Sequence, residues 1–449
     1  MQGIRRVFIA NRGEIAVRII KACREMGLGT VLGVSTADRD SLPARLAERS
    51  VCLGPHQPAA SYLRVGTLIT AARCTGCDAL HPGYGFLAEQ PELARACRDN
   101  GLRFIGPKPG HIAAMGDKLL ARRTARELGI PLIPGSDIVQ EIAEAQAAAE
   151  SAGFPVLLKA AGGGGGKGMK IVRGRAQLTT MFNEAKAEAR AAFNDDRLYL
   201  EKVIENARHI EVQILADSQG NALHLFERDC SVQRRYQKVI EEAPSPVVSP
   251  ELRAGICEAA LSIARHIGYE SAGTVEFVLD QDEQKFYFLE MNTRIQVEHP
   301  VTEAVTGVDL VQQQIRIAAG EPLAIRQEDI ALSGHALECR VTAELATDGF
   351  RPSPGRISQW AAPQGEGTRV DTHCFQGYLV PPFYDSLLAK VITWGPDRAQ
   401  ALGRMTRALD NFQVRGIDTT VAFLGSVLGH ADFAGGRINT RWLENIMLS

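Results

Sequence analysis

Along roughly the first 130 residues, short apolar runs alternate with stretches whose apolar positions recur every three to four residues. Residues 6–10 read as a buried strand, 14–25 as a helix with Ile15, Ile19, Ala22 and Cys23 on one side, and 30–34 as the next strand after Gly27 and Gly29. Residues 79–81 and 102–105 read as further strand ends, separated by helical stretches at 63–73 and 91–100. Strands separated by helices of this length predict βαβ units and a mostly parallel sheet. The loop at 10–13 lacks the three-glycine dinucleotide fingerprint, which argues against a nicotinamide dehydrogenase.

A helix at 117–128 is followed by Gly129, Pro131, Pro134 and Gly135, a break in composition. Beyond it an alanine-rich helix at 141–152, a strand at 154–161, an answering strand at 169–172 and another strand at 198–201 predict a small α+β unit carrying a mobile glycine hairpin, a lid. From about residue 204 the apolar period shifts toward two: 209–216, 222–227, 273–280 and 286–292 read as strands, with a helix at 252–267 between them. A helix at 310–319 precedes a strand-rich region that opens at 334–344 and ends in helices at 398–409 and 419–428. The expected division is 1–115 for the parallel-sheet unit, 116–131 for a linker helix, 132–203 for the lid, 204–330 for a central unit and 331–449 for a C-terminal mixed-sheet unit.

The length of 449 residues exceeds what one hydrophobic core serves, and 45% hydrophobic with 23% charged residues excludes a disordered or fibrous chain. Lys and Arg number 50 against 52 Asp and Glu, so no net charge draws the chain to nucleic acid or to an anionic membrane. The opening residues have neither the apolar segment of an anchor nor a signal-peptide pattern. Of nine cysteines only Cys74 and Cys77 form a close pair, which completes neither a zinc cage nor a disulfide framework, and a reducing cytoplasm is the expected compartment.

The sharpest chemical signal is KAAGGGGGKGM, residues 159–169. Five consecutive glycines cost backbone entropy and offer nothing to a core, so the run suits backbone amides closing on a bulky anion, with Lys159 and Lys167 adding charge at its ends. An exposed flexible connector is the alternative; a P-loop is excluded because Gly168 follows Lys167. The second signal is the strand pair TVEFV and FYFLEMN: a turn about Glu283 sets Glu276 opposite Glu290, with Asn292 on the same face. Two facing carboxylates with no His or Cys at ligand spacing suit a hard divalent cation, Mg²⁺ or Mn²⁺, bridging nucleotide phosphates; the alternative is the wet side of a hairpin. The third is RIQVE, where Arg294, Gln296 and Glu298 follow Asn292 at steps of two and, on a continuing strand, form one row able to fork a small planar anion while the Glu handles a proton. Lys238, and Arg340 with Glu338 two residues before it, are further basic positions that alone read as ordinary ion pairs, and His209 and His299 read equally as packed histidines. HPGYGF, 81–86, reads as a rigid loop, and the absence of GxSxG argues against a serine hydrolase of that type.

With IANRGEIAVRI, HPGYGFLAE, FIGP, MGDK, KAAGGGGGKGM, ERDCSVQRR, EEAPSP, EMNTRIQVEHPVTE, GHALECR and PSPGRI in one order, the chain resembles the biotin carboxylases, the ATP-grasp components of biotin-dependent acyl-CoA carboxylases. The resemblance implies an α/β ATP-grasp protein: an N-terminal Rossmann-like domain, a glycine-rich lid, an ATP-grasp central domain and a C-terminal domain. It implies ATP contacts from Lys118, Lys159, His209, Gly164, Gly165, Gly166, Met169, Gln233 and Tyr236, with Glu201 and Lys202 at the adenine edge and Ile204 and Val278 enclosing the ring. Glu276 and Glu290, with Asn292, would hold Mg²⁺; Lys238, Arg294, Gln296 and Val297 would seat bicarbonate; Glu298 would be the base and Arg340 would meet the biotin enolate. Tyr236 stands where the family commonly has His, and ELATDGFRPSPG departs from the usual wording in a loop given no chemistry. No AMKM-like segment is present, so biotin is expected on a separate biotin carboxyl carrier protein, with separate carboxyltransferase subunits, and the resemblance implies a homodimer with Arg18 near the contact. Acetyl-CoA is the expected final acceptor, in fatty-acid synthesis.

Overall fold

Arg6–Ile9 lies between Gly29–Ser35 and Ala79–His81, and Arg49–Gly54 and Arg103–Phe104 complete a five-stranded sheet in which every pair runs parallel. This computed structural model describes residues 3–162 and 169–448. Helix Gly13–Glu25 lays Ile15, Ala16, Ile19 and Cys23 on one face of that sheet, against Val7, Ile9 and Leu32. Gly27, at φ +71°, supplies the left-handed residue that ends the helix. Helices Val65–Cys74 and Pro91–Asp99 cover the other face with Leu68, Ile69, Leu93 and Cys97. Burial on both faces is why these strands read as unbroken apolar runs. Arg49–Gly54 has no such run because it is an edge strand, largely exposed, and carries no alternation that would mark it.

Asp117 accepts from the backbone amides of Leu119 and Leu120 at 2.9 and 3.0 Å and so starts helix Lys118–Glu127. The chain then forms a four-stranded antiparallel sheet in the order Gly135–Val139, Leu198–Lys202, Val156–Ala160, Met169–Val172. Helices Ile142–Ala152 and Arg175–Phe193 pack Ala145, Ala149, Leu178, Phe182 and Ala185 onto Val156, Leu158, Val172, Leu198 and Leu200. The second of these helices has no counterpart among the expected elements. Gly164, Gly165 and Gly166, together with Lys167, lie outside the described residues.

An eight-stranded antiparallel sheet takes strands from both sides of position 330, in the order Lys285–Asn292, Ser271–Asp280, Ala207–Ala216, Ala222–Arg234, Gln237–Ala243, His335–Thr342, Leu387–Gly395, Thr368–Thr372. Its continuity depends on Gln237–Ala243 pairing with His335–Thr342, Ile240 opposite Cys339 and Glu241 opposite Glu338. Gln237–Ala243 is invisible to apolar periodicity because its buried positions include Glu241 and Glu242. Helix Pro250–His266 covers one face with Ile256, Ala260, Leu261 and Ala264 packed on Ile210, Val212 and Phe277. The opposite face is polar, and register pairs set Glu211 beside Arg228 and Glu276, Glu276 beside Glu290, and Arg340 beside Lys390.

The strand expected to run through Glu298 stops at Asn292. Residues 293–298 turn, Glu298 adopts φ −81° and ψ 10°, and helix His299–Thr306 begins with Pro300 in its first turn. Pro300 lacks the amide that a continuing ladder requires and has the fixed φ that a first helical turn favours. Among the described residues no helix is long and apolar enough to cross a membrane, and all nine cysteines are free thiols.

Candidate active site

The polar face of the large sheet floors a cleft of about 1630 Å³ whose walls come from the parallel-sheet unit, the four-stranded unit and the C-terminal segment. At its centre Lys238 Nζ lies 2.5 Å from Glu211, 2.6 Å from Glu298 Oε1 and 3.3 Å from Glu276 Oε1. Arg340 bridges the other side: Nε donates to Glu241 Oε1 at 2.6 Å and Nη2 to Glu298 Oε2 at 2.9 Å. The expected pairing of Arg340 with Glu338 is thereby corrected. Glu338 shares the strand face, but its carboxylate oxygens have no hydrogen-bond partner, and Glu241 on the neighbouring strand takes the guanidinium.

Glu298 is wholly buried and is held by two cations, with a third, Arg228, nearby. Burial pushes its carboxyl up, yet Lys238, Arg340 and Arg228 together hold it well below the usual carboxylate range. It is therefore ionised at neutral pH and able to accept a proton once those cations are drawn to another anion.

Glu276 and Glu290 do stand opposite each other, with Asn292 opposite Thr274. They differ in surroundings. Glu276 is buried, 3.1 Å from His209 Nε2, and accepts from Asn292 Nδ2 at 2.8 Å and Gln296 Nε2 at 3.3 Å. Glu290 opens on the cleft, where Lys118 Nζ is 3.3 Å away. An all-oxygen donor set of two carboxylates and an amide fits a hard divalent cation. His209, Glu211 and Glu276 also converge, but Lys238 contacts both carboxylates and already neutralises that group.

Arg294, Gln296 and Glu298 converge without being on a strand. Arg294 donates to Gln296 Oε1 at 2.7 Å and to Asn292 Oδ1 at 3.1 Å, while Glu89 from the 82–90 loop takes its Nε at 2.8 Å. Val297 turns its carbonyl to Lys390 Nζ at 2.8 Å. Toward the four-stranded sheet, Glu201 is buried between Lys159 and Arg122, whose cations outweigh its desolvation and lower its carboxyl. Met169 pairs with Lys159 across the hairpin, and Lys202, Ile204 and Val278 line the same end of the cleft. Gln233 Nε2 is 2.9 Å from His209 Nδ1. Tyr236, 56% exposed, sits with Arg235 in a two-residue turn where both have positive φ, 64° and 48°. This primed-turn geometry normally favours Asn-Gly.

Glu211, Arg122, Glu241 and Glu89 belong to the site without standing out in the sequence. Two carry a signal: Glu211 follows His209 by two on a strand, and Arg122 follows Lys118 by four on a helix, so each shares a face with a named residue. Glu241 and Glu89 join the site through contacts across the sheet and from the N-terminal unit, for which local spacing has no signal.

The chain matches three family descriptions in succession: "Biotin carboxylase, N-terminal domain" over residues 3–112, "Carbamoyl-phosphate synthase L chain, ATP binding domain" over 117–326, and "Biotin carboxylase C-terminal domain" over 338–445. It is 48% identical over 442 residues to biotin carboxylase 1 of Bacillus subtilis, covering 98% of each chain. It is 47% identical to a pyruvate carboxylase component of Methanothermobacter thermautotrophicus, covering 98% of this chain and 89% of that one. In structure it superposes with a TM-score of 0.94 on the biotin carboxylase domain dimer of Hydrogenobacter thermophilus 2-oxoglutarate carboxylase, solved with MgADP, ADP and bicarbonate, at 45% identity and covering 99% and 98% of the two chains.

Proposed function

This chain belongs to the biotin carboxylase family, ATP-dependent ligases of the ATP-grasp fold that use Mg²⁺, bicarbonate and biotin, and we propose that it carboxylates biotin borne on a separate carrier protein. The observation that carries the reading is Glu298, a buried carboxylate clamped by Lys238 and Arg340 beside the Glu276–Glu290 pair. We assign the phosphates to Lys118, Lys159 and His209 and the adenine end to Glu201, Lys202, Ile204 and Val278. Glu276, Glu290 and Asn292 would hold the divalent cation, which would supply charge stabilisation to a transferring phosphoryl group. The units divide as 1–115, 116–131, 132–203, 204–330 and 331–449, the third closing over ATP.

Bicarbonate entering beside Lys238, Arg294 and Gln296 competes for the cations that now hold Glu298. Releasing Lys238 from Glu298 raises the basicity of that carboxylate, which takes the bicarbonate proton. The dianion oxygen attacks the γ-phosphorus as the bond to ADP breaks, and carboxyphosphate forms. Its decomposition gives CO₂ and phosphate; phosphate removes the ureido proton of biotin, and the resulting nitrogen nucleophile attacks CO₂. Arg340 meets the charge on the ureido oxygen. Lid closure keeps water from the carboxyphosphate.

The protein works as a homodimer with a biotin carrier and carboxyltransferase subunits, and acetyl-CoA is the final acceptor. A 2-oxo acid is the second reading, favoured by the similarity to the pyruvate and 2-oxoglutarate carboxylases. Phosphate release from ATP is the test: it should require bicarbonate and Mg²⁺ and rise with free biotin. Turnover that needs an amine or amino acid and ignores biotin would overturn the assignment. Reconstitution with acetyl-CoA and with 2-oxo acid carboxyltransferases separates the two acceptors.

A further inference from the structure

Glu338 has no task in the reaction above, yet it is wholly buried and neither of its carboxylate oxygens has a hydrogen-bond partner. Directly opposite it on the neighbouring strand is Glu241, also wholly buried. Glu241 Oε1 accepts from Arg340 at 2.6 Å, and its Oε2 is as bare as the oxygens of Glu338. Opposed residues of an antiparallel pair bring their Cβ atoms to about 5 Å, and two buried carboxyl groups so close do not both ionise without a cation between them.

Among the described residues no cation forms an ion pair with Glu338. Arg340, on its own strand, is divided between Glu241 and Glu298. Lys390, on the strand that follows, donates to the Val297 carbonyl at 2.8 Å and lies 3.2 Å from Glu14. Glu298 at the head of its helix adds negative charge, and Tyr84 from the 82–90 loop, a further titratable neighbour, gives its hydroxyl to Glu14. Both Glu338 oxygens are left without a donor. Burial, reinforced by Glu241 and Glu298 against the pull of Lys390 and Arg340, sets its carboxyl well above the usual range, and burial pushes Glu241 up to about 7.

We propose that Glu338 and Glu241 form a proton-sharing carboxyl pair that positions Arg340 for the biotin ureido oxygen. With one proton between them the pair carries a single negative charge, which anchors Arg340 through Glu241 while its Nη2 reaches Glu298 in the cleft. Loss of that proton doubles the charge behind the guanidinium, draws it toward the sheet and weakens its hold on the oxyanion. Glu338 acts only through Arg340, so it is a positioning residue, and the role rests on the biotin carboxylase reading.

Infrared difference spectra of the substrate-free protein, wild type minus Glu338→Gln, should show at neutral pH the carbonyl stretch of an un-ionised carboxylic acid. This arm needs no turnover, so it stands or falls separately from the assigned reaction. In biotin carboxylation assays the wild-type rate should decline on an alkaline limb that Glu338→Gln lacks, since an amide cannot lose the proton. Glu338→Ala should lose roughly tenfold or more in biotin carboxylation, and Glu338→Gln should restore most of that loss. If Glu338→Ala does not fold, the spectrum and the Gln profile still decide. No acid band in the difference spectrum, or an alkaline limb kept by Glu338→Gln, would overturn the proposal.

Discussion

Lys238 Nζ sits 2.6 Å from Glu298 Oε1, while Arg340 takes the second oxygen of the same carboxylate at 2.9 Å. A buried carboxylate between two cations, the proposed base, is quiet until an anion competes for them. The proposed order of events, bicarbonate first and proton transfer second, follows from that geometry.

Glu298→Gln removes the proposed proton acceptor but keeps the shape. Bicarbonate-dependent ATP cleavage and biotin carboxylation should fall together, by roughly 10²- to 10⁴-fold. Phosphate release and carboxybiotin assays on one preparation check this; a large loss of carboxylation with ATP cleavage intact would remove Glu298 from the phosphoryl step.

Arg340→Ser should separate the two activities. The Glu298 carboxylate keeps Lys238, so slow biotin-independent ATP cleavage should persist, while carboxybiotin formation drops about a hundredfold with the loss of one charged donor. Parallel loss of both activities would place Arg340 in the bicarbonate or nucleotide site.

Glu276→Gln leaves Glu290 as the single carboxylate of the pair. The Mg²⁺ concentration for half-maximal ATP cleavage should rise roughly tenfold or more, and calorimetric titration with MgADP should weaken in step. Unchanged Mg²⁺ dependence would show that the cation lies elsewhere.

Acid stability should report Asp371. Although burial opposes ionisation, Arg369 and Lys390 hold its carboxyl at about 2, below the ordinary 3.8. A depressed folded value stabilises the native state above the unfolded pKa, and this contribution, about 2 kcal/mol, is lost as pH falls from about 4 through 2. Asp371→Asn should be less stable at neutral pH and lack that share of the acid dependence in urea unfolding. A variant as stable as wild type at pH 7 would contradict it.

TVEFV and FYFLEMN are legible as a strand pair, but the regular ladder from Asp280 opposite Lys285 to Phe277 opposite Phe288 would set Glu276 against Leu289; the irregularity between Glu276 and Phe277 brings Glu290 opposite instead, and no apolar spacing encodes it. The parallel sheet is equally legible, since strands covered by helices on both sides are apolar throughout. The resemblance implies which residues form the site but does not say what each one touches. RIQVE looks like a continuing strand by period two, yet the ladder ends at Asn292 and the same side chains converge from a turn. Period two likewise matches Arg340 to Glu338 because the two share a strand face, whereas its partners, Glu241 and Glu298, come from a neighbouring strand and from the head of a helix. Periodicity records which face a residue occupies within its own element. Which charges meet on the polar floor is set by strand order and by the elements packed across it, so only the tertiary structure decided which carboxylates are clamped and which are left bare.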